Sequence, residues 1–129
     1  MQQKKTVMVV EDDSFLLQAL EKKLTMSEFS VIACSSGKDA LSSLETNIQL
    51  PDAICLDYYL TDMNGTDFMN KLGTNEFWKD IPVLVLSNAD EEESVRSTLA
   101  LGAKIYMLKT QYKLEDIVVQ LKRILLPVE

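Results

Sequence analysis

The sequence predicts one α/β domain: a five-stranded parallel sheet, doubly wound by five helices. Three observations carry this. Five short apolar runs alternate with five segments of helical period. Three of those runs are continuously apolar, as strands covered on both faces are. The chain is 129 residues long, the size of one domain with its own core.

The first strand is Thr6-Val7-Met8-Val9-Val10, ending at Glu11. Phe15, Leu16, Ala19, Leu20 and Leu24 then give the first helix its apolar stripe, with Asp12 or Asp13 as its cap. Ser30-Val31-Ile32-Ala33-Cys34 is the second strand. A helix with Ala40, Leu41 and Leu44 follows, with Ser36 and Asp39 placed as N-cap and third helical residue. Ala53-Ile54-Cys55-Leu56 is the third strand and ends at Asp57; Phe68, Met69 and Leu72 mark a short helix after Gly65. Val83-Leu84-Val85-Leu86 ends at Ser87 and is the fourth strand. The fourth helix, Asp90 to Leu101, is the weakest. Its face is Val95, Leu99 and Thr98, with Glu91, Glu92 and Glu93 in a first turn where the helix dipole favours acids. Ile105-Tyr106-Met107-Leu108 ends at Lys109, and Ile117, Val118, Leu121, Ile124 and Leu125 form the cleanest stripe. Right-handed crossovers join such strands, and the domain core spans about residues 5–126.

Composition narrows the function. Thirteen basic and 20 acidic residues give a net charge of −7 and a pI near 4.6. Such a surface repels phosphate backbones and predicts no direct nucleic-acid contact. No apolar run is long enough to span a membrane, and the N-terminus leaves no room for the apolar stretch of a signal peptide. Cys34 and Cys55 lie inside apolar runs and read as reduced core thiols of a cytoplasmic protein. Trp78 reads as a cover for the core. The chain has no histidine, which excludes histidine triads, histidine metal sites and a histidine phosphoacceptor.

In an open parallel sheet, ligands bind beyond the carboxyl ends of the strands. Those ends carry Glu11, Asp12 and Asp13, then Asp57, Ser87 and Lys109. Converging carboxylates repel one another, so either one takes up a proton or a cation compensates. Magnesium, held by one or two carboxylates, waters and a substrate oxygen, fits that role. A lysine and a hydroxyl beside it suit phosphoryl oxygens, and a central carboxylate suits a nucleophile that forms an acyl phosphate. Neither G-x-G-x-x-G nor G-x-x-x-x-G-K occurs, so a nucleotide is not the obvious ligand.

Four segments together resemble a family. Val9-Val10-Glu11-Asp12-Asp13, Leu56 to Gly65, Pro82 to Ser87, and Gly102-Ala103 with Tyr106 and Lys109 resemble the response-regulator receiver domain of two-component signalling. The likeness extends to single-domain chemotaxis-type response regulators. The resemblance implies a flavodoxin-like sheet of order 2-1-3-4-5. It implies that Asp57 accepts a phosphoryl group from a histidine kinase or His-phosphotransfer protein. It implies Mg²⁺ placed by Glu11 and Asp12, with Asp57 and the Tyr59 carbonyl as further ligands. Ser87 and Lys109 would bond the phosphoryl group, and Tyr106 would turn inward as the switch aromatic. The surface of the fourth helix, fifth strand and fifth helix would then dock a downstream protein target or output domain. Such a protein is a signalling phosphoacceptor that assists its own chemistry, either stand-alone or as the receiver of a longer regulator.

The chain departs from the family pattern in places. Thr61 and Thr110 stand where proline is usual, and Asn88 stands where alanine is common. A cis Lys109–Thr110 bond would cost ~3–4 kcal/mol, so a trans bond and a rearranged loop are expected. Asn88 is expected to narrow access to Asp57, and Tyr59 to cover it in part. Plainer readings stand beside these. Taken singly, Ser87 starts a helix, Lys109 ends a strand in solvent, and Tyr106 is a packing aromatic. Two other classes fit the fold: an unphosphorylated adaptor, and a flavodoxin-like cofactor binder. The acids after the first strand speak against the second.

Overall fold

The computed structural model describes residues 4–88 and 91–125. The elements run β1 (Thr6–Val10), α1 (Ser14–Met26), β2 (Ser30–Cys34), α2 (Gly37–Thr46), β3 (Ala53–Asp57), α3 (Gly65–Gly73), β4 (Val83–Ser87), α4 (Glu92–Ala100), β5 (Ile105–Leu108) and α5 (Leu114–Leu125). All strands pair in parallel, in the order β2-β1-β3-β4-β5. The central strands β1, β3 and β4 are buried almost throughout, while the edge strands β2 and β5 are half exposed. Strand alternation divides the core into two layers. Val7, Val9, Cys55, Leu84 and Leu86 face α1 and α5, meeting Leu20, Leu24, Ile117, Val118 and Leu121. Met8, Val10, Ile54, Leu56, Val83 and Val85 face α2 and α3, meeting Ala40, Leu44, Phe68 and Leu72. Trp78 packs against this second layer, and both cysteines are buried and free.

The caps explain where the helices begin. Asp13 is the N-cap of α1 and accepts from the Phe15 and Leu16 amides, which leaves Asp12 for other work. Ser36 caps α2 by accepting from Asp39 N at 3.0 Å. Asn64 and Asp67 form a reciprocal capping box on α3.

Two expected helix faces differ. Phe15 is 85% exposed, because the α1 stripe turns inward only from Leu16 to Leu24. On α4 the buried residues are Ser94 and the expected Thr98; Val95 is half-buried and Leu99 is 43% exposed. The inner face of this helix is made of hydroxyl residues, and Ser97 bonds Thr66 on α3. The Thr98 hydroxyl turns back to the carbonyls of Ser94 and Val95, so it can be buried without cost. The expected start of α4 at Asp90, the end of the core at Leu126 and the tail to Glu129 lie outside the described residues. All described peptide bonds are trans, including Lys109–Thr110.

Candidate functional site

The parallel register sets the strand ends side by side. Asp57 pairs with Leu86, and Ser87 pairs with Leu108. Past the strand ends the ladder continues: Tyr58 N donates to Leu86 O and Lys109 N to Ser87 O, both at 2.8 Å, and Glu11 N donates to Cys34 O at 3.0 Å. The carboxyl edge of the sheet therefore fixes Glu11, Asp57, Ser87 and Lys109 by backbone bonds.

The side chains converge as this register requires. Carboxylate oxygens of Glu11, Asp12 and Asp57 lie within 4.8 Å of one another. Glu11 is 1% exposed and Asp57 5%, while Asp12 is half-buried and opens the cluster to solvent. Lys109 Nζ lies 2.8 Å from Glu11 Oε1 and 3.2 Å from Asp57 Oδ1. Lys109 thus reaches the cluster with the Lys109–Thr110 bond trans. Three acids facing one ammonium leave a formal charge of −2, which calls for a proton or a cation. The electrostatics of Asp57 show the demand. Burial first, then a hydrogen bond with Glu11 and its charge, push Asp57 up to about 7 from an ordinary 3.8, against the pull of Lys109. Burial works against the Lys109 ammonium, but the bond to Glu11 and the charges of Asp57 and Glu11 outweigh it and raise its pKa. Cys55, directly below, is pushed up to about 12 by burial and the nearby Glu11 charge, and is no nucleophile.

The donor set is chemically suited to a hard divalent cation: oxygen ligands only, clustered, over-charged and open on one side. Ser87 is completely buried at the end of β4. Tyr106 is half-buried on β5, its ring centroid 6.4 Å from that of Tyr58. Asn88 is exposed beside the site.

Tyr59 stands edge-on to Tyr58, with ring centroids 4.8 Å apart. Its hydroxyl meets Ser94, whose bond lowers its pKa, and Glu91, whose carboxylate, together with burial, lifts it to a net rise. The Tyr59 side chain is therefore turned to the start of α4. The loop carrying it is pinned at two more points. Asp62 accepts from the Gly37 and Lys38 amides at 3.0 and 2.9 Å, capping α2 from another loop. These backbone bonds hold its carboxyl below the usual range, against a desolvation that acts the other way. Gly65 lies under the Tyr58 ring, where an added Cβ would stand 2.5 Å from Tyr58 Cδ2. No part was expected for Tyr58, Ser94 or Ser97, and of the α4 hydroxyls only Thr98 was placed on the helix face. The available signal was the spacing of Ser94, Ser97 and Thr98, one helix face made of hydroxyls.

The fold and the cluster together place the chain among known proteins. It belongs to the response regulator receiver domain family, whose model matches residues 7–122. It is 34% identical over 119 residues to the transcriptional regulatory protein PrrA of Mycobacterium tuberculosis, covering 92% of this chain and 49% of PrrA. It is also 34% identical over 105 residues to the alkaline phosphatase synthesis transcriptional regulatory protein PhoP of Bacillus subtilis, covering 81% of this chain and 42% of PhoP. In each case the chain spans less than half of the relative's length. Among solved structures, the non-phosphorylated receiver domain of HemR from Leptospira biflexa matches with a TM-score of 0.82 and 27% identity, over 98% of both chains. A CheY-like receiver domain protein from Methanospirillum hungatei shares the fold, with a TM-score of 0.86 at 20% identity over 95% of this chain and 94% of that one. Among the described residues no helix is long and apolar enough to cross a membrane.

Proposed function

We propose that this receiver domain accepts a phosphoryl group on Asp57. The observation that carries the proposal is the Asp57 carboxylate itself: buried at the carboxyl edge of the sheet, 3.2 Å from Lys109 Nζ and inside a three-carboxylate cluster. The donor is a phosphohistidine of a histidine kinase or phosphotransfer protein. An Asp57 oxygen forms the new P–O bond in line, the P–N bond breaks, and the imidazole leaves with that electron pair and picks up a proton. Asp57 must be ionised to attack, so the residues that set its charge govern its reactivity. Glu11, Asp12, Asp57 and the Tyr59 carbonyl would hold Mg²⁺. The bound ion supplies neutralising charge to the transferring oxygens.

Lys109 then trades its hold on the free carboxylate for the phosphoryl oxygens, and the Ser87 hydroxyl bonds the same group. Their movement lets Tyr106 turn inward and shifts α4, which changes the surface of α4, β5 and α5 that a target protein or output domain reads. The chain positions the reacting groups and so assists its own phosphorylation and hydrolysis. It acts in the cytoplasm, and its net charge of −7 keeps the domain itself off nucleic acid.

Intact mass after incubation with acetyl phosphate tests this. One added phosphoryl group is expected with Mg²⁺, and none with chelator or in Asp57→Asn. Equal uptake by Asp57→Asn would refute the site. No uptake by the folded wild type would favour an unphosphorylated adaptor.

A further inference from the structure

The residue after the proposed acceptor is tied to α4 by an unbroken chain of hydroxyls. The Tyr58 hydroxyl lies 2.9 Å from Thr66 Oγ1, and Thr66 Oγ1 lies 2.8 Å from Ser97 Oγ. Ser97 Oγ donates in turn to the Ser94 carbonyl at 3.2 Å. A hydroxyl has one proton to give. With Ser97 donating to that carbonyl, Thr66 donates to Ser97 and Tyr58 to Thr66, so the whole chain is satisfied in one direction. Tyr58 is buried and its ring is held over Gly65, where there is no room for a Cβ. Its backbone amide bonds β4 at Leu86. A displacement of the Asp57–Tyr58 backbone thus has little outlet in the ring's own packing and passes to Thr66 and Ser97.

The far end of the chain is the helix with the least apolar grip. Its two buried residues are Ser94 and Thr98, its N-cap Glu91 makes no side-chain cap bond, and Leu99 is 43% exposed. Polar contacts therefore decide where α4 sits.

We propose that the Tyr58–Thr66–Ser97 hydroxyl chain latches α4 in its resting position, and that phosphorylation must break this latch to move the helix. Tyr58 and Ser97 are then positioning residues that set how readily the site is phosphorylated. The proposal rests on Asp57 being the acceptor, and the test separates the two. Tyr58→Phe keeps the ring and removes one hydroxyl. Ser97→Ala removes the other end and leaves a good helix former.

Amide hydrogen exchange of α4 is read by mass spectrometry in the unphosphorylated full chain of both variants and of the double variant. One hydrogen bond of ordinary worth corresponds to about a fivefold rise in α4 exchange. The double variant should rise no further than Ser97→Ala alone, because Tyr58 reaches α4 only through Thr66 and Ser97. Phosphorylation by acetyl phosphate with Mg²⁺ should quicken by up to the same factor, since the latch no longer opposes it. Unchanged α4 exchange would overturn the latch. So would a double variant that multiplies the two effects, because the bonds would then be independent. Faster exchange with an unchanged phosphorylation rate would reduce the chain to ordinary packing. A wild type that takes up no phosphoryl group would refute the acceptor role of Asp57, while the exchange data would still judge the latch.

Discussion

Asp57→Asn should stabilise the metal-free protein, and the gain should depend on pH. In the fold, Asp57 shares a buried pocket with Glu11 and is pushed up to about 7 from 3.8. The folded value lies above the unfolded one, so the folded chain holds an extra proton between about pH 4 and 7. Stability from this group is fully present below the unfolded value and is lost as pH rises through the folded one. Holding a proton near pH 7 rather than near 3.8 corresponds to a ceiling of ~4 kcal/mol by pH 8, and to ~1.5 kcal/mol already spent at pH 5. An asparagine carries no such burden. It loses the 3.2 Å contact with Lys109 and buries an amide, so the net gain at pH 8 should be only about 1–2 kcal/mol. The difference between pH 5 and pH 8 is the cleaner quantity, because these constant losses cancel. It should be ~2–3 kcal/mol. Urea unfolding of both proteins in chelator at the two pH values measures it. A variant advantage that stays flat with pH, or a loss that deepens toward pH 8, would refute the reasoning.

Three further outcomes follow from the same contacts. Lys109→Ala removes the cation 2.8 Å from Glu11 and should cost about 2–4 kcal/mol in chelator at pH 8, read by urea unfolding, with slower phosphoryl uptake by mass. Gly65→Ala sets a Cβ against the Tyr58 ring and should cost about 1–3 kcal/mol, seen as a lower urea midpoint. Asp62→Ala frees the Gly37 and Lys38 amides and should cost about 1 kcal/mol, with faster exchange confined to the first turn of α2.

The sheet was legible because burial on both faces leaves only one kind of sequence. Val7 to Val10, Ile54 to Leu56 and Val83 to Leu86 are apolar without a break, and these are the three central strands. The acidic cluster was legible for a related reason: a charge that ends a buried strand has nowhere to go but the sheet edge, where the register gathers Glu11, Asp57 and Lys109. Helix faces were less so. Phe15 follows the helical period yet lies in solvent, because it precedes the point where α1 meets the sheet. Reading α4 by its apolar residues pointed to Leu99, whereas the buried residues are Ser94 and Thr98, and a face of hydroxyl residues escapes any search for a hydrophobic stripe. The cap that Asp62 lends to α2 joins residues 24 and 25 positions apart, and the bond from Thr66 to Ser97 joins residues 31 apart. No local pattern encodes such pairs; they exist only once the loops are placed.

The most direct test of the central claim is where the phosphoryl group lands. After acetyl phosphate and Mg²⁺, borohydride reduction cleaves an aspartyl phosphate and leaves homoserine, which peptide sequencing by mass spectrometry locates. We expect homoserine at position 57 and at no other acid. Phosphoryl uptake with an unreduced Asp57, or with homoserine at Asp12 or elsewhere, would contradict the acceptor role on which the proposed switch depends.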